Sequence, residues 1–343
     1  MTKRSLRSFL LASALALGPL VAAAQAAELN LYSSRHYDTD ERLYQEFTEK
    51  TGIVINRIEG DADELIERIN LEGDKSPADI LITVDAGRLW RAEEAGIFAP
   101  VESGILNERI PANLRHPDGL WFGFTTRARV IVHDRERVDP DLLRTYEDLA
   151  RPELEGLVCI RSSTNIYNLS LMASLIEHHG MDGAAEWAEG VVGNFARDPE
   201  GNDTAQIEAV AAGQCGVAVA NSYYVARILN SDDPQLQEIA SKIGIIFPNQ
   251  EDRGTHVNVS GAGLVRHAPN RAEAIAFLEY LASDEAQAWL ANGNNEYAAV
   301  ESVELDNPAL ERMGPFKADP VNVAVLGKNQ PLAQIVFDEA GWR

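Results

Sequence analysis

A chain of 343 residues with 53 acidic and 30 basic side chains carries a formal charge of −23. It lacks the basic stripe that nucleic acid or an anionic membrane surface demands. At 45% hydrophobic and 24% charged it has an ordinary globular composition, and acidity of this kind serves solubility and draws cations at long range. The length exceeds what one hydrophobic core serves, so two lobes are expected.

Lys3, Arg4 and Arg7 form a positive opening, an apolar run follows from Phe9 to Ala24, and Ala24-Gln25-Ala26 supplies a small-x-small cleavage pattern. This predicts a Sec-type signal peptide over residues 1–26, delivery to the periplasm and a mature chain from Ala27. Loss of the three basic leader residues takes the charge from −23 to −26. The run is shorter than the ~20 residues of a membrane span. No Cys sits at the processing site, which argues against a lipoprotein.

Short apolar runs then alternate with helical patterns, the rhythm of an α/β sheet. Strands are predicted at Leu29–Ser34, Ile53–Ile58 and Ala78–Val84, with helices at Asp40–Lys50, Ala62–Glu72 and Arg88–Ala95. The long β-type stretch from Trp121 to Val132 reads as a strand crossing to a second lobe. That lobe is predicted to hold strands at Leu157–Ile160, Gly216–Ala220 and Ile243–Phe247, and helices at Asn168–His178, Ala184–Val192, Thr204–Ala212 and Tyr224–Leu229. His256–Gly261 reads as the return crossing, followed by helices Arg271–Leu281 and Asp284–Asn292. The boundaries are therefore 27–126 for the first lobe, 127–249 for the second and 250–300 for a return to the first. The weakly patterned tail, 301–343, is expected to pack on the second lobe. Two lobes joined by two extended crossings are what a hinged binding protein requires.

Cys159 and Cys215 each sit in an apolar run. A disulfide closing a loop of 56 residues and a pair of buried thiols are both consistent with that pattern.

Strand ends are where α/β lobes expose ligand groups, and three of them deliver tyrosine. Tyr37 follows the first strand, Tyr167 follows the Cys159 strand, and Tyr223-Tyr224 follow the Cys215 strand. With Asn221 or Ser222 as N-cap, both phenols of the last pair can swing into one cleft. Any one corner fits a core or rim aromatic better than a ligand; recurrence at corresponding corners brings a shared cleft level with that reading. Phenolate oxygen suits a hard, highly charged cation such as Fe³⁺, which drives the phenol well below its ordinary pKa of ~10. Four phenolates exceed a 3+ charge by one. Arg127 on the crossing strand and Arg227 beyond the tyrosine pair are placed to offset that excess, or to make ordinary salt bridges. His36 reads either as a further ligand or donor or as a hydrogen-bonding loop residue.

Ser-Ser-Arg-His-Tyr at 33–37, Ala-Asp-Ile-Leu-Ile-Thr-Val-Asp at 78–85 and Leu-Trp-Arg-Ala-Glu at 89–93 resemble bacterial periplasmic ferric-iron-binding proteins. So do Trp-Phe-Gly-Phe-Thr at 121–125, Gly-Asn-Asp-Thr-Ala-Gln-Ile-Glu-Ala-Val at 201–210, Asn-Ser-Tyr-Tyr at 221–224 and Gly-Thr-His-Val-Asn-Val-Ser-Gly at 254–261. The similarity is greatest to the tyrosine-rich, Fut-type branch, iron-deficiency-induced substrate-binding proteins of ABC transporters, and is weakest after Asn292. The resemblance implies a two-lobed class II (transferrin-like) periplasmic-binding-protein fold with the ligand cleft between the lobes. It implies Fe³⁺ as transported ligand, held by Tyr37, Tyr167, Tyr223 and Tyr224 with His36 as a matching position, and Arg127 and Arg227 behind them. It implies an ABC-transporter permease as partner, and a monomer is expected. Other branches use a Glu and a bound anion. No residue clearly matches that Glu, which leaves a synergistic anion doubtful.

Two rivals remain at this point. Ser-Ser and Ser-Ser-Thr corners before helices also suit an anion or organic-cation carrier. An enzyme has no support from a Gly-x-Ser-x-Gly, His-Glu-x-x-His or Cys-x-x-Cys motif.

Overall fold

The computed structural model describes residues 27–35 and 37–343. The leader and His36 lie outside the described residues. The chain runs β1 (Glu28–Ser33), α1 (Asp40–Thr51), β2 (Val54–Glu59), α2 (Ala62–Glu72), β3 (Ile80–Val84), α3 (Ala86–Glu94), α4 (Gly104–Arg109) and β4 (Phe122–Asp134). Next come β5 (Val158–Cys159), α5 (Ile166–Gly193), α6 (Asp203–Ala211), β6 (Val217–Asn221), α7 (Ser222–Leu229), α8 (Pro234–Lys242) and β7 (Ile243–Ile246). The last elements are β8 (Val257–Leu264), α9 (Arg271–Leu281), α10 (Asp284–Asn294), β9 (Tyr297–Ala298), α11 (Pro308–Met313), α12 (Ala324–Lys328) and α13 (Gln330–Glu339).

Local chemistry sets these boundaries. Asp61 and Asp85 cap α2 and α3 by accepting from the amides of Asp63 and Gly87. Gly52, at φ 74°, ends α1 in the left-handed conformation that a side chain would resist. Between the two helices expected at Asn168–His178 and Ala184–Val192, Gly180 takes φ 70° and kinks an otherwise continuous α5. The sequence reading did not anticipate α8. None of its residues is fully buried; its short stripe of Leu236, Ile239 and Ala240 packs partly buried against the second-lobe core, and its start is set by the Asp233 cap and by Pro234 in the first turn.

The strands are ordered β2-β1-β3-β8-β4-β6-β5, with β7 and β9 also on β4. The β1–β2, β1–β3 and β5–β6 pairs are parallel, while β8 and β4 run antiparallel to their neighbours. The crossing is visible in the register. From Phe122 to Ala128, β4 pairs with β8; from Arg129 to His133 it pairs with β6. One strand therefore belongs to both lobes, and β8 returns beside it.

Leu31, Phe47, Trp121, Phe124, Val259 and Phe277 belong to the core of the first lobe. Ile131, Tyr146, Trp187 and Val219 pack on one side of the second-lobe strands, whereas Val130, Val132, Val210 and Val225 pack on the other. That split follows the two-residue alternation of β4. The tail expected on the second lobe divides its packing. Val323 and Leu326 join the first core, whereas Ala333, Val336, Phe337 and Trp342 join the second.

Candidate metal centre

Each tyrosine corner is held by hydrogen bonds to a neighbouring strand or by a helix cap. After β1, the Ser34 amide donates to Ile82 O at 3.0 Å and Ser34 Oγ to Thr83 Oγ1 at 2.8 Å, tying the corner to β3. The buried Arg35 then pairs with Asp40 at 2.9 Å, and its guanidinium carbon lies 4.7 Å from the centre of the Tyr37 ring. After β5, Asn165 caps α5 by accepting from the Tyr167 amide at 3.2 Å. After β6, the chain turns directly into α7, whose first turn carries Ser222, Tyr223 and Tyr224.

Asn221 holds the N-cap position of α7 and makes no side-chain cap bond. Its Oδ1 accepts from Arg129 at 3.1 Å, and its amide donates to Asp203 at 2.7 Å. Ser222 Oγ accepts from the Ala128 amide at 3.2 Å, pinning the corner to β4.

These corners bring all four tyrosines around one cavity of about 400 Å³, which Ser34, Arg35, Arg88 and Arg227 also line. Tyr223 Oη donates to Tyr167 Oη at 3.3 Å, and the Tyr223 and Tyr224 rings lie 4.3 Å apart at 33°. Cys159 and Cys215 form a disulfide with a Cα separation of 5.8 Å. It joins the starts of the two second-lobe routes that end in tyrosine. Among the described residues no group of three or more His, Cys, Asp or Glu side chains is arranged to hold a metal; the cavity lining carries the four phenols and one carboxylate, Asp61.

The electrostatics oppose spontaneous ionisation. Burial pushes the Tyr37 phenol well above its ordinary range, Glu296 adds to this, and Arg35 and Arg127 pull it back. Tyr223 is raised by burial and by Tyr167, Tyr37 and Tyr224; Tyr224 is raised by burial and Tyr167. Without a cation the phenols of Tyr37, Tyr223 and Tyr224 therefore stay protonated. The surrounding guanidiniums nevertheless favour the phenolates once a trivalent ion supplies the rest of the positive charge.

Arg227 lies 5.8 Å from the Tyr224 ring centre, on the cavity wall. Arg127 lies behind the wall, 1% exposed, donating to Ser260 Oγ at 3.1 Å. Burial works against its charge, and Glu296 with the phenols of Tyr223 and Tyr167 outweighs that.

Further residues escaped the sequence reading. Arg129 pairs with Asp203 at 2.8 Å and sits 5.7 Å from the Tyr167 ring centre. Arg161 reaches the other Asp203 oxygen at 3.1 Å and sits 5.4 Å from that ring. Arg129 was findable: two residues past Arg127 on a strand, it faces the same side. Asp203 stood inside the Gly-Asn-Asp-Thr motif without a role.

Two α/β lobes sharing their crossing strands, with a polar cavity lined from both, define a hinged solute-binding protein. The chain belongs to the family described as bacterial extracellular solute-binding protein, whose model matches residues 75–317. It is 58% identical over 327 residues to iron uptake protein A2 of a Synechocystis strain, covering 95% of this chain and 93% of that protein. It is 24% identical to the major ferric iron-binding protein of Neisseria meningitidis, over 99% of this chain and all of that one. Among solved structures, the Trichodesmium IdiA (FutA) protein in complex with iron and citrate superposes with a TM-score of 0.90 at 57% identity. The match covers 92% of this chain and 100% of that one.

Proposed function

We propose that this protein captures ferric iron in the periplasm with tyrosinate ligands and delivers it to an ABC-type inner-membrane importer. The observation that carries this reading is the convergence of Tyr37, Tyr167, Tyr223 and Tyr224 on one cavity. The names of its relatives, an iron uptake protein and a ferric iron-binding protein, support the same cargo.

Iron lands first on the second lobe, where Tyr167, Tyr223 and Tyr224 already stand together. Closure about β4 and β8 then brings Tyr37 over it, shifting the open–closed equilibrium toward the closed form. Arg127 and Arg227 offset the extra negative charge of four phenolates. The first lobe comprises 27–126 and 250–300 and the second 127–249. The protein acts as a monomeric carrier, exported by the cleavable leader over residues 1–26, and its turnover is one of loading and release. A permease of the inner membrane receives the closed form.

A second reading concerns only the shell. Arg35, Arg88 and Ser34 line the cavity beside the phenols, and the Trichodesmium relative holds citrate with its iron. In this reading an anion completes the coordination.

Addition of ferric citrate to the metal-free protein tests the proposal. Phenolate-to-iron charge transfer gives an orange to red colour, and a Tyr223→Phe/Tyr224→Phe variant loses it. Full colour and affinity in that variant defeat the assignment.

A further inference from the structure

Glu296 is a fully buried carboxylate to which the sequence reading gave no role. Its Oε2 accepts from Thr125 Oγ1 on β4 at 2.7 Å and lies 3.6 Å from Arg35 Nη1. Its Oε1 accepts from Ser260 Oγ on β8 at 3.5 Å. The same Arg35 lies over the Tyr37 ring. One side chain thus reaches both crossing strands and the arginine that supports the first-lobe tyrosine.

The residues around it reinforce that connection. Trp289 Nε1 donates to Thr39 O at 2.7 Å, Thr39 Oγ1 donates to Asn294 Oδ1 at 2.6 Å, and Asn294 Nδ2 donates to Asp40 Oδ1 at 3.1 Å. The Tyr37 corner is thereby clamped to the end of α10. Asn295 turns back in the left-handed conformation at φ 57°, and its Oδ1 accepts from Asn230 Nδ2 at 2.8 Å. Asn230 caps the far end of α7, the helix that opens with Tyr223 and Tyr224.

A hinge delivers a ligand accurately only if the ligand's loop moves as one body with the hinge strands. A buried carboxylate is also costly to keep unless its partners need it. We propose that Glu296 is a positioning residue: through Arg35 it fixes the Tyr37 corner to β4 and β8, so that closure carries the phenol to the metal in one orientation. The inference rests on the reading of Tyr37 as a ligand for ferric iron. A purely structural role would weaken the fold without any special link to Tyr37.

The test is a double-mutant cycle on the full chain: wild type, Tyr37→Phe, Glu296→Gln and the pair. Ferric iron is loaded from citrate and its release to excess EDTA is followed by loss of the charge-transfer band, with melting temperatures recorded alongside. Glu296→Gln is expected to keep the colour supplied by the second lobe and to speed release by about tenfold, while adding less than about twofold on the Tyr37→Phe background. Equal acceleration on both backgrounds, or none on either, overturns the proposal. If Glu296→Gln does not fold, Thr125→Val removes one bond to the carboxylate and is read through the same cycle with the same two outcomes. A wild type that forms no band overturns the reading of the site itself. A coloured wild type with an additive cycle overturns only the role of Glu296.

Discussion

Tyr223 Oη donates to Tyr167 Oη at 3.3 Å, although the two residues are 56 positions apart and sit at the heads of different helices. The two phenol oxygens stand together on the second lobe, and the Tyr224 ring lies 4.3 Å from that of Tyr223, tilted by 33°. Tyr37 comes from the other lobe. The four tyrosines should therefore not be equivalent. Tyr223→Phe is expected to bleach most of the colour and to weaken binding severely. Tyr37→Phe is expected to keep a shifted charge-transfer band and to lose iron faster. Absorption spectra and chelator-driven release rates of the four single Phe variants check the ranking.

Proton release sets the pH dependence of binding. Burial holds Tyr37, Tyr223 and Tyr224 above the ordinary phenol range in the metal-free protein. In the proposed coordination each of these phenols displaces a proton as it binds, and added acid competes with the metal. Affinity is expected to fall by about tenfold per pH unit for each proton released, up to about three decades per unit if these three phenols ionise on binding. Ferric titrations against a competing chelator at several pH values, with the chelator's own protonation accounted for, measure that slope.

The disulfide between Cys159 and Cys215 spans 56 residues, and by chain entropy a loop of that size stabilises the native state by ~4 kcal/mol. It also joins the starts of the segments that end in Tyr167 and Tyr223-Tyr224. The Cys159→Ala/Cys215→Ala variant is expected to melt at lower temperature and to bind iron more weakly. Calorimetry and a ferric titration of the same sample read both effects.

Acid should also destabilise the fold through His256. Buried and close to Arg129, Arg253 and Arg127, its imidazole is pushed down to about 3, with burial the largest cause. The unfolded chain titrates near ~6.5 and takes up a proton that the native state refuses. The contribution to stability is complete above ~6.5 and is lost as pH falls through the window down to about 3. Glu147 extends the loss further. Burial would raise its carboxyl, but Asn249 and Arg253 hold it at about 2, so its contribution goes as pH falls below ~4.3. Denaturant unfolding at pH 7.5 and 5 should show a smaller difference for His256→Gln than for the parent.

The parts legible from sequence are those whose signals are local. A strand, an Asn or Ser and a tyrosine at a helix start occur within a few residues of one another, so the corners could be read directly. The crossing of β4 was legible because its long β-type stretch separates one β/α series from the next. What stayed hidden depends on partners far along the chain. Glu296 meets Thr125 across 171 positions and Asp203 meets Arg129 across 74, and neither carboxylate has a neighbour that marks it. Arg35, next to the first tyrosine corner, was in plain view, but its role appears only when Glu296 and Asp40 are seen to hold it beneath the ring. The helix α8 was missed because its stripe of Leu236, Ile239 and Ala240 is short and only partly buried, and so stands out little from the polar residues around it.

A crystal structure of the iron-loaded protein tests the central claim most directly. The account predicts a closed cleft with one ferric ion bonded to the phenolate oxygens of Tyr167, Tyr223 and Tyr224 from one lobe and Tyr37 from the other. Iron held away from these oxygens, or bound with all four phenols unligated, would contradict it.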